Sequence, residues 1–300
     1  MKAKKTLSLL LCASVIVGML GMMSGCSNST SQSPSPSASA PAESAPAETG
    51  TASLLDQIKS SGVMVVGTSA TNAPWESIDA DGNYVGYDMD LINEIASRMG
   101  VEVQIEDMAF DALVAAVQTG KVNVAIASMG AKEERKEKVD FTQMYHQQMN
   151  VYIAQKDSDI SIANMEDIAA YNVGVQSGTL PDQYITGLVD AGKMKDSQVS
   201  RYEAPENMIL DLEAGRIDLV AGDKNQAKVF EGMYNVKIIY ECSFFGTGEN
   251  IAVPKNQPEL LSELDGILDD LREEGFLDEL ENQRMSVTEE MIQAYREQVA

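Results

Sequence analysis

Seven consecutive charged residues, "KEERKEK" from Lys132 to Lys138, could contain a residue that binds a charged ligand. Such a run is typical of a solvated helix face. It closely follows an apolar stretch, "VNVAIA", that has the composition of a buried strand, so one of its members could point inward. Arg135 is the candidate, because a guanidinium binds a carboxylate through two parallel hydrogen bonds. The run alone leaves both interpretations open.

Polar residues also end the strands of a pattern that occurs twice. "AAVQTGKVNVAIAS" and "LDLEAGRIDLVAGD" each combine a helix, a glycine, one basic residue and a strand. Ser128 or Asp223 lies eight positions after the glycine of its copy, and two further strands end at Ser69 and Thr179. Ligands of open α/β sheets bind beyond the carboxyl ends of the strands. Two such lobes facing each other would bring all four strand ends to one cleft.

A helix start near Thr179 could supply a second contact for an anion. In "SGTLPDQY", Pro181 suits the first turn of a helix. The free backbone N–H groups of Thr179 and Leu180 would then point toward a bound negative charge. The alternative is an ordinary capped helix without a ligand.

The elements that position these residues alternate between strands and amphipathic helices from Leu54 onward. "VMVVGTS", "VEVQIE" and "KVNVAIAS" have the composition of strands, and "FDALVAAVQTG" that of a helix. "YDMDLINEIASRMG" places its apolar residues on one helical face and ends at Gly100. This alternation predicts an α/β fold with mostly parallel sheets flanked by helices.

The N-terminal segment has a different composition. Basic residues precede the apolar "LSLLLCASVIVGML" and then "MSGC", which is the layout of an export signal. The Ser-, Pro- and Ala-rich stretch that follows cannot bury an apolar face and should form an extended tether. Together these features resemble a bacterial lipoprotein, with a signal peptide at 1–25, a lipidated Cys26 and a tether over 26–52. A secreted protein cleaved nearby is the alternative.

The charge balance excludes several partners. The chain has 22 basic and 46 acidic residues, and loss of the three lysines in the signal would leave 19 against 46, a net charge of −27. Nucleic acids and anionic lipids require basic surface, so neither is an expected partner. Cys12 would leave with the signal and Cys26 would be lipidated, so Cys242 has no cysteine to pair with. With His146 as the only histidine, nothing indicates a cysteine–histidine dyad.

With these patterns in place, the chain resembles the extracellular solute-binding proteins of amino-acid ABC transporters, the polar amino-acid family. The resemblance covers about residues 55–283 and is carried by "VVGTSATNAPWESIDADGNYVGYDMDLINEIA", "ALVAAVQTGKVNVAIASMGAKEERKEKVDF", "YNVGVQSGT" and "LEAGRIDLVAGD". It implies a two-lobed periplasmic-binding-protein-like fold with a ligand cleft between the lobes. The first lobe would comprise 53–148 and 246–300, the second 149–245, with hinges near 149–151 and 245–248.

The resemblance also implies roles for individual residues. Arg135 would bind the carboxylate of a free amino acid, and Asp223 its ammonium, although Asp223 could instead, or in addition, cap the helix "DKNQAKVFEG". Ser128 would accept from the ammonium through its carbonyl. Trp75 and Phe110 would form aromatic walls, or be ordinary core residues.

Some positions depart from the family pattern. Gly130 lacks a common hydroxyl, Asn72 replaces a common aromatic, and Ser69 lies where many members have an acid. Together with Gln176, these residues offer hydrogen bonds without net charge. Because a charged side chain would lose hydration without gaining a counter-charge, the sequence predicts a neutral, polar or sulfur-containing L-amino acid.

We therefore expect a monomeric substrate-binding lipoprotein, held outside the cell membrane by its lipid, that delivers a free L-amino acid to ABC permease subunits without a cofactor or metal. A ligand sensor for a signalling partner is one alternative. A dehydratase-type enzyme on the same fold is another, with Asp223 or Glu76 as its acid. The tail "SVTEEMIQAYREQVA" lies beyond the resemblance and predicts an added amphipathic helix.

Overall fold

The computed structural model describes residues 52–147, 149–245, 248–289, 292–293 and 296. The described residues belong to one compact unit. The predicted signal peptide, the lipidation at Cys26 and the tether up to residue 51 lie outside the described residues. Within the described part of the chain, no helix combines the length and apolarity needed to span a bilayer.

Helices and strands alternate along the described chain. The helices are α1 (Leu54–Ser61), α2 (Tyr87–Met99), α3 (Leu113–Gln118), α4 (Glu133–Lys136), α5 (Leu180–Asp190), α6 (Pro205–Glu213), α7 (Lys224–Met233), α8 (Pro258–Glu273) and α9 (Phe276–Arg284). The strands are β1 (Val63–Thr68), β2 (Thr71–Asn72), β3 (Glu76–Ile78), β4 (Tyr84–Val85), β5 (Glu102–Asp107), β6 (Val124–Ala125), β7 (Val139–Phe141), β8 (His146–Gln147), β9 (Asn150–Gln155), β10 (Val173–Gln176), β11 (Val199–Tyr202), β12 (Leu219–Asp223), β13 (Val236–Cys242), β14 (Gly248–Glu249) and β15 (Ala252–Pro254).

Two five-stranded sheets form the frame of the molecule. The first has the order β5-β1-β6-β15-β7 and the second β11-β10-β12-β9-β13. In the first sheet β1 runs parallel to β5 and β6, whereas β15 is antiparallel to β6 and β7. In the second sheet β10 is parallel to β11 and β12, whereas β9 is antiparallel to β12 and β13. We refer to the two halves built on these sheets as the first and second lobes.

The predicted α/β class is confirmed, but the sheets are mixed rather than mostly parallel. The antiparallel strands β9 and β15 are the ones that enter a sheet directly after a crossing from the other lobe. No helix precedes them to reverse the chain direction, as a parallel connection requires. Each crossing strand therefore joins its sheet in the opposite sense.

The predicted helix over "YDMDLINEIASRMG" is confirmed as α2. Leu91, Ile92 and Ile95 are fully buried in the core of the first lobe, together with residues of β1 and α8. The helix ends where Gly100 adopts a left-handed conformation with φ 73°, and its N–H donates to the carbonyls of Ala96 and Ser97. Burial of this apolar face fixes α2 against the sheet that carries the cleft residues.

Strand β6 is shorter than the predicted strand "KVNVAIAS". The side chain of Asn123 accepts a hydrogen bond from the N–H of Val65 at 2.7 Å, while its own N–H donates to the Val65 carbonyl at 2.8 Å. A side chain thus occupies a position that a backbone carbonyl would hold in a regular ladder. This substitution ends β6 on its N-terminal side.

The chain passes from the first lobe to the second between β7 and β9 and returns between β13 and β15. The short strands β8 and β14 lie in these two passages and pair antiparallel. After α9 the chain changes lobe again: Met285 belongs to the core of the first lobe, whereas Val287 packs against that of the second. Ile292 contacts α7 at Gly232. The lobe boundaries stay a prediction, and these contacts favour an end of the first lobe near Met285 rather than at 300.

Gly86 gives a test of the backbone that connects β4 to α2. It has φ 131°, and a Cβ built there would lie 2.2 Å from the carbonyl oxygen of Trp75. We expect Gly86→Ala to lower the free energy of unfolding by about 3 kcal/mol or more, because it adds both backbone strain and a clash with backbone.

Gly82→Ala is the matched control, since Gly82 also has a positive φ, 86°, but has nothing within 4 Å of the added Cβ. It should cost only about 1 kcal/mol in a denaturant titration. If the two substitutions lowered the free energy of unfolding equally, the close contact between Gly86 and Trp75 would be contradicted.

Candidate functional site

A cavity lies between the carboxyl ends of the strands of the two lobes. Both lobes contribute to its lining, which is made of Ser69, Asn72, Glu76, Phe110, Ser128, Gly130, Arg135, Asn150, Gln176, Thr179, Leu180, Pro181, Met208, Ala221, Gly222, Asp223 and Gln226. Every residue that the sequence predicts as ligand-binding is in this lining, apart from Trp75. The cleft residues are thus brought together as the strand-end argument requires.

Arg135 turns inward and is 5 % exposed. One terminal nitrogen donates to the carbonyl of Gly130 at 2.6 Å and the other to that of Gly178 at 2.8 Å. The guanidinium carbon lies 5.0 Å from the centroid of the Phe110 ring. Burial lowers the pKa of Arg135 to about 10. Since none of the ion pairs between described residues includes Arg135, this cation lies in the cavity without a carboxylate.

The charged run around Arg135 is less solvated than predicted. Helix α4 has only four residues, and Lys132 just before it has a side chain 11 % exposed. Its Nζ donates to the carbonyl of Gly178 at 3.2 Å and lies 3.5 Å from Glu134. Burial lowers the pKa of Lys132. The sequence predicted Arg135 as the one inward-facing member of the run, but Lys132 also points inward.

Asp223 ends β12 and caps α7. Its Oδ1 accepts hydrogen bonds from the N–H groups of Asn225 and Gln226, each at 2.9 Å, so the predicted capping role is confirmed. The indole N–H of Trp75 also donates to Oδ1, at 2.9 Å. Burial raises the pKa of Asp223, and these hydrogen bonds oppose that rise. These three hydrogen bonds all end on one carboxylate oxygen, which leaves the other for a further donor.

Trp75 does not form a wall of the cavity. It is fully buried and stacks edge-on against Tyr87 and His146, at centroid distances of 5.4 and 4.8 Å. The bond from Trp75 to Asp223 joins the first lobe to the second. Its role is therefore to orient a cavity carboxylate from behind. Phe110 does line the cavity, beneath Arg135.

The predicted helix start at Thr179 is confirmed, since Thr179 is the N-cap of α5 and Pro181 lies in the first turn. The Thr179 hydroxyl donates to the Gln176 carbonyl at 2.7 Å and accepts from the N–H of Asp182 at 3.4 Å. The Thr179 N–H is 3.4 Å from the Gln176 carbonyl, a long contact. The Thr179 N–H is thus weakly engaged, and Thr179 and Leu180 both lie in the lining of the cavity.

The smaller polar residues of the first lobe form a connected set. Asn72 donates to the hydroxyl of Ser128 at 3.2 Å. Ser128 has a left-handed backbone, φ 43°, and its N–H donates to the Asp88 carboxylate at 2.6 Å. A non-glycine residue in this conformation is uncommon and often marks a functional position. Gln176, in the second lobe, has its amide turned to the Glu203 carbonyl at 3.1 Å.

Glu76 is the most important cavity residue that the sequence did not assign to binding. It is 1 % exposed, and neither carboxylate oxygen accepts a hydrogen bond of ordinary geometry from a donor among the described residues. Burial, then the charge of Asp88 and to a lesser degree that of Glu249, raises the pKa of Glu76 well above its usual value. The sequence carries no signal for this position, because it is set by the register of a hairpin with strands of two and three residues, which pairs Asn72 with Glu76. Asn150, Met208 and Gln226 were also missed.

A metal or thiol site finds no support in the described residues. No group of three or more His, Cys, Asp or Glu side chains in that part of the chain is placed to hold a metal ion. Cys242 is half-buried at the end of β13, and burial raises its pKa to about 12. A thiol held protonated in this way is a poor nucleophile.

The comparison with protein families is decisive about ancestry. The model of the bacterial extracellular solute-binding proteins, family 3, matches residues 64–286. The chain belongs to this family.

Two relatives illustrate the likeness. A probable histidine-binding protein of Campylobacter jejuni is 31 % identical over 72 % of this chain and 82 % of its own length. The ABC transporter arginine-binding protein 1 of Escherichia coli is also 31 % identical, over 72 % of this chain and 88 % of its own length.

Solved structures of family-like proteins share the fold. An ancestral arginine-binding protein bound to arginine is 33 % identical, with a TM-score of 0.69 over 74 % of this chain and 98 % of its own. The ancestral arginine-binding protein bound to glutamine gives 33 % and 0.67, over 74 % and 97 %. An ancestral amino acid-binding protein, a precursor of cyclohexadienyl dehydratase, gives 28 % and 0.70, over 78 % and 100 %. The two-lobed periplasmic-binding-protein-like fold of this family 3 chain is thereby confirmed.

The buried carboxyl of Asp88 predicts how the stability of this solute-binding protein depends on pH. Burial raises the pKa of Asp88 to about 7, against the hydrogen bonds from Ser128 and Tyr145. The folded chain then keeps a proton that the unfolded chain loses above about pH 4. This group therefore makes folding stability fall as pH rises from about 4 to about 7, and level off above that.

Asp88→Asn should remove this dependence. We expect the difference in free energy of unfolding between variant and parent to move in the variant's favour by more than about 1 kcal/mol between pH 4.5 and 7.5, in urea titrations. The exposed Asp81→Asn is the control and should show no such trend. Parallel curves for Asp88→Asn and parent would contradict the prediction.

Proposed function

We propose that this chain is the substrate-binding lipoprotein of an amino-acid ABC transporter, and that its ligand is a free L-amino acid with a cationic side chain, arginine first. The observation that carries the choice of ligand is Glu76, a buried carboxylate without a partner in a cavity that also holds Arg135 and Asp223. The protein would act outside the cell membrane, anchored through Cys26, and work as a monomer. Lobe closure would present the loaded form to the permease.

The cavity supplies a partner for each charge of the amino-acid backbone. A buried charge without a partner is costly, so a carboxylate and an ammonium each need one. Arg135 uses two of its five N–H groups on Gly130 and Gly178, which leaves three for a carboxylate. The first turn of α5 adds backbone donors. The free oxygen of Asp223, with the Ser128 carbonyl, would receive the ammonium.

The side-chain end of the cavity favours a cation. The argument from sequence for a neutral ligand required a first-lobe wall without an acid, and that premise is wrong because Glu76 lines this wall. Ser69 and Asn72 lie in the same lining and would accept or donate further hydrogen bonds. A guanidinium or ammonium beside Glu76 would supply the counter-charge that this carboxylate lacks.

The relatives support the same ligand class. Two curated relatives are named for histidine and arginine, and an ancestral relative is described with arginine bound. The same kind of ancestral protein is also described with glutamine bound. A neutral amide is therefore the main competitor to arginine and belongs in the test.

A dehydratase remains the second candidate, because one observation favours it. Glu76 and Asp88 form a buried carboxyl pair with raised pKa, the property of a general acid, beside the cavity. A similar structure belongs to a dehydratase precursor, itself described as an amino acid-binding protein. Turnover would decide against a pure binding role. A sensor role on the same ligand would need a signalling partner in place of a permease.

The ligand class is tested by calorimetry of the purified protein with arginine, lysine, histidine, glutamine, serine, methionine, cystine and glutamate, with mass analysis for products. We expect arginine to bind most tightly, unchanged in mass. Glu76→Gln should weaken arginine by about 2 kcal/mol or more, since it removes one member of a desolvated charge pair, while leaving glutamine within severalfold. A parent that prefers glutamine, or glutamate, would overturn the cationic assignment.

The anchor pair is tested separately. Arg135→Ala would leave the ligand carboxylate without its guanidinium, and Asp223→Asn would leave the ammonium without a counter-charge. Each should cost about 3–5 kcal/mol of binding free energy for every ligand of the panel. Lys136→Ala, on the same short helix but exposed, is the control and should bind like the parent. Parent-like affinity of Arg135→Ala would refute the anchor assignment.

The lipid anchor is tested at Cys26, outside the described residues. Changing Cys26 to Ala should release the protein into the medium or leave uncleaved precursor, because no thiol remains to carry the lipid. Cys242→Ala is the control and should stay attached to membranes. Unchanged fractionation and cleavage of Cys26→Ala would count against a lipoprotein.

A further inference from the structure

Three carboxyl groups lie buried behind the side-chain end of the cavity. Glu76 on β3 is 1 % exposed, and Asp88 on α2 and Glu249 on β14 are fully buried. Among the described residues, no lysine or arginine is ion-paired with any of them. A group of buried acids without cations cannot be fully ionised, because each added negative charge costs both hydration and mutual repulsion.

Glu76 and Asp88 are the two members that interact directly. Their side chains are within hydrogen-bonding reach of each other, and each affects the pKa of the other. Asp88 Oδ2 accepts from the Ser128 N–H at 2.6 Å and the Tyr145 hydroxyl at 3.1 Å. Asp88 Oδ1 and both oxygens of Glu76 accept no hydrogen bond of ordinary geometry from the described part of the chain, and the Asn72 side chain lies near enough to Glu76 to oppose the rise in its pKa. This is the arrangement in which two carboxyls share one proton.

The remaining charged groups around the pair come from several elements. Glu249 lies 3.2 Å from Nδ1 of His146, whose Nε2 is 3.7 Å from Glu281 on α9. Asp223 reaches the pair from the second lobe and disfavours its ionisation. Arg135 lines the same cavity but does not pair with either acid. The net field on the pair is therefore negative, which favours retention of the proton.

We propose that ligand capture is coupled to proton release: Glu76 and Asp88 share one proton in the ligand-free protein, and a cationic side chain entering beside Glu76 displaces it. The inference rests on the proposed function, since it requires a cationic ligand. The O–H bond in the pair breaks, its electrons stay on the carboxylate, and the proton passes to the buffer. The positive charge of the ligand then takes the place of the proton. Asp88 is the positioning residue, because it holds the proton on Glu76 without touching the ligand.

The coupling makes side-chain selection depend on pH. With one proton released, the arginine association constant rises up to about tenfold per pH unit below the pKa of the pair. The pKa of Asp88, raised by burial to about 7, puts this range near neutral pH. A neutral amide has no charge to displace the proton, and a protonated Glu76 can donate to its carbonyl oxygen. Arginine is thus favoured at higher pH and glutamine at lower pH.

The experiment is calorimetry of arginine binding at pH 6.5 in buffers of different ionisation enthalpy, which counts the protons released per ligand. We expect about one for arginine and none for glutamine in the parent protein. Asp88→Asn removes the largest cause of the raised pKa of Glu76 after burial, so it should lower the arginine proton count at pH 6.5 and move the pH dependence of the association constant to lower pH, with binding still measurable. A purely structural role for Asp88 would lower affinity without changing the count.

The other acid–histidine pair provides the matched control. Glu249→Gln removes the carboxyl next to His146, and the proton count of that variant should stay near one. If the proton count instead falls in Glu249→Gln, or if the parent binds arginine without releasing a proton, the inference is overturned while the ligand class stands. Failure of every cationic amino acid to bind overturns the ligand class and this inference with it.

The test can be carried out even if the variants do not fold. The difference in proton count between arginine and glutamine is measured on the parent alone. Glu76→Gln, which removes the acceptor at the cavity surface, provides the second variant and should also release no proton with any bound ligand. Equal counts for arginine and glutamine in the parent would contradict the coupling without any variant.

Discussion

The burial of charge without its counter-charge is the constraint on which the rest of this structure depends. Arg135 is almost completely removed from water, and its partners are the carbonyls of Gly130 and Gly178 and the ring of Phe110. Dipoles offset only part of the hydration that a buried cation loses. The deficit is a driving force for an anion to enter. The fold therefore has to hold rigid donors and acceptors from two lobes around an unsatisfied charge.

The second lobe is held in place through both ends of one helix. At the N-terminus of α7, Asp223 accepts from Trp75 of the first lobe. At its C-terminal end, Gly232 is covered by Ile292 of the tail, which follows the first-lobe helix α9. A bulkier residue at 232 would meet the Ile292 side chain within 2.2 Å, so the tail packs closely there. The carboxylate proposed to receive the ligand ammonium is thus fixed by contacts that cross between the lobes.

The parts of the fold that follow from local spacing were predictable from the sequence. Helix α2 with its glycine stop and the strand ends at Ser128 and Asp223 depend on hydrophobic periodicity and on residues near in sequence. Glu76 was not assigned to binding because the face it occupies is set by the register of a hairpin whose first strand has two residues, too short to show a period. Lys132 was misjudged because the carbonyl that attracts it, that of Gly178, comes from the other lobe.

The prediction of a neutral ligand overlooked Glu76 for a related reason. It compared side chains position by position along one strand end, at Ser69 and Asn72, and found no acid there. The cavity wall is closed by the next strand of the hairpin, where Glu76 lies opposite Asn72. The charge of a pocket depends on which residues the folded chain brings together. Here a short turn adds a carboxylate that comparison along one strand end does not find.

Asp88 connects the two parts of the site that would hold the two ends of the proposed ligand, and no pattern in the sequence indicates this. One of its oxygens holds the N–H of Ser128, and so fixes the left-handed turn whose carbonyl would face the ligand ammonium. The same carboxyl shares its environment with Glu76, which would face the side chain. A change of protonation at Glu76 therefore alters the electrostatic environment of the carboxyl that holds Ser128. Recognition of the side chain and recognition of the backbone ammonium are, on this geometry, coupled through one buried acid.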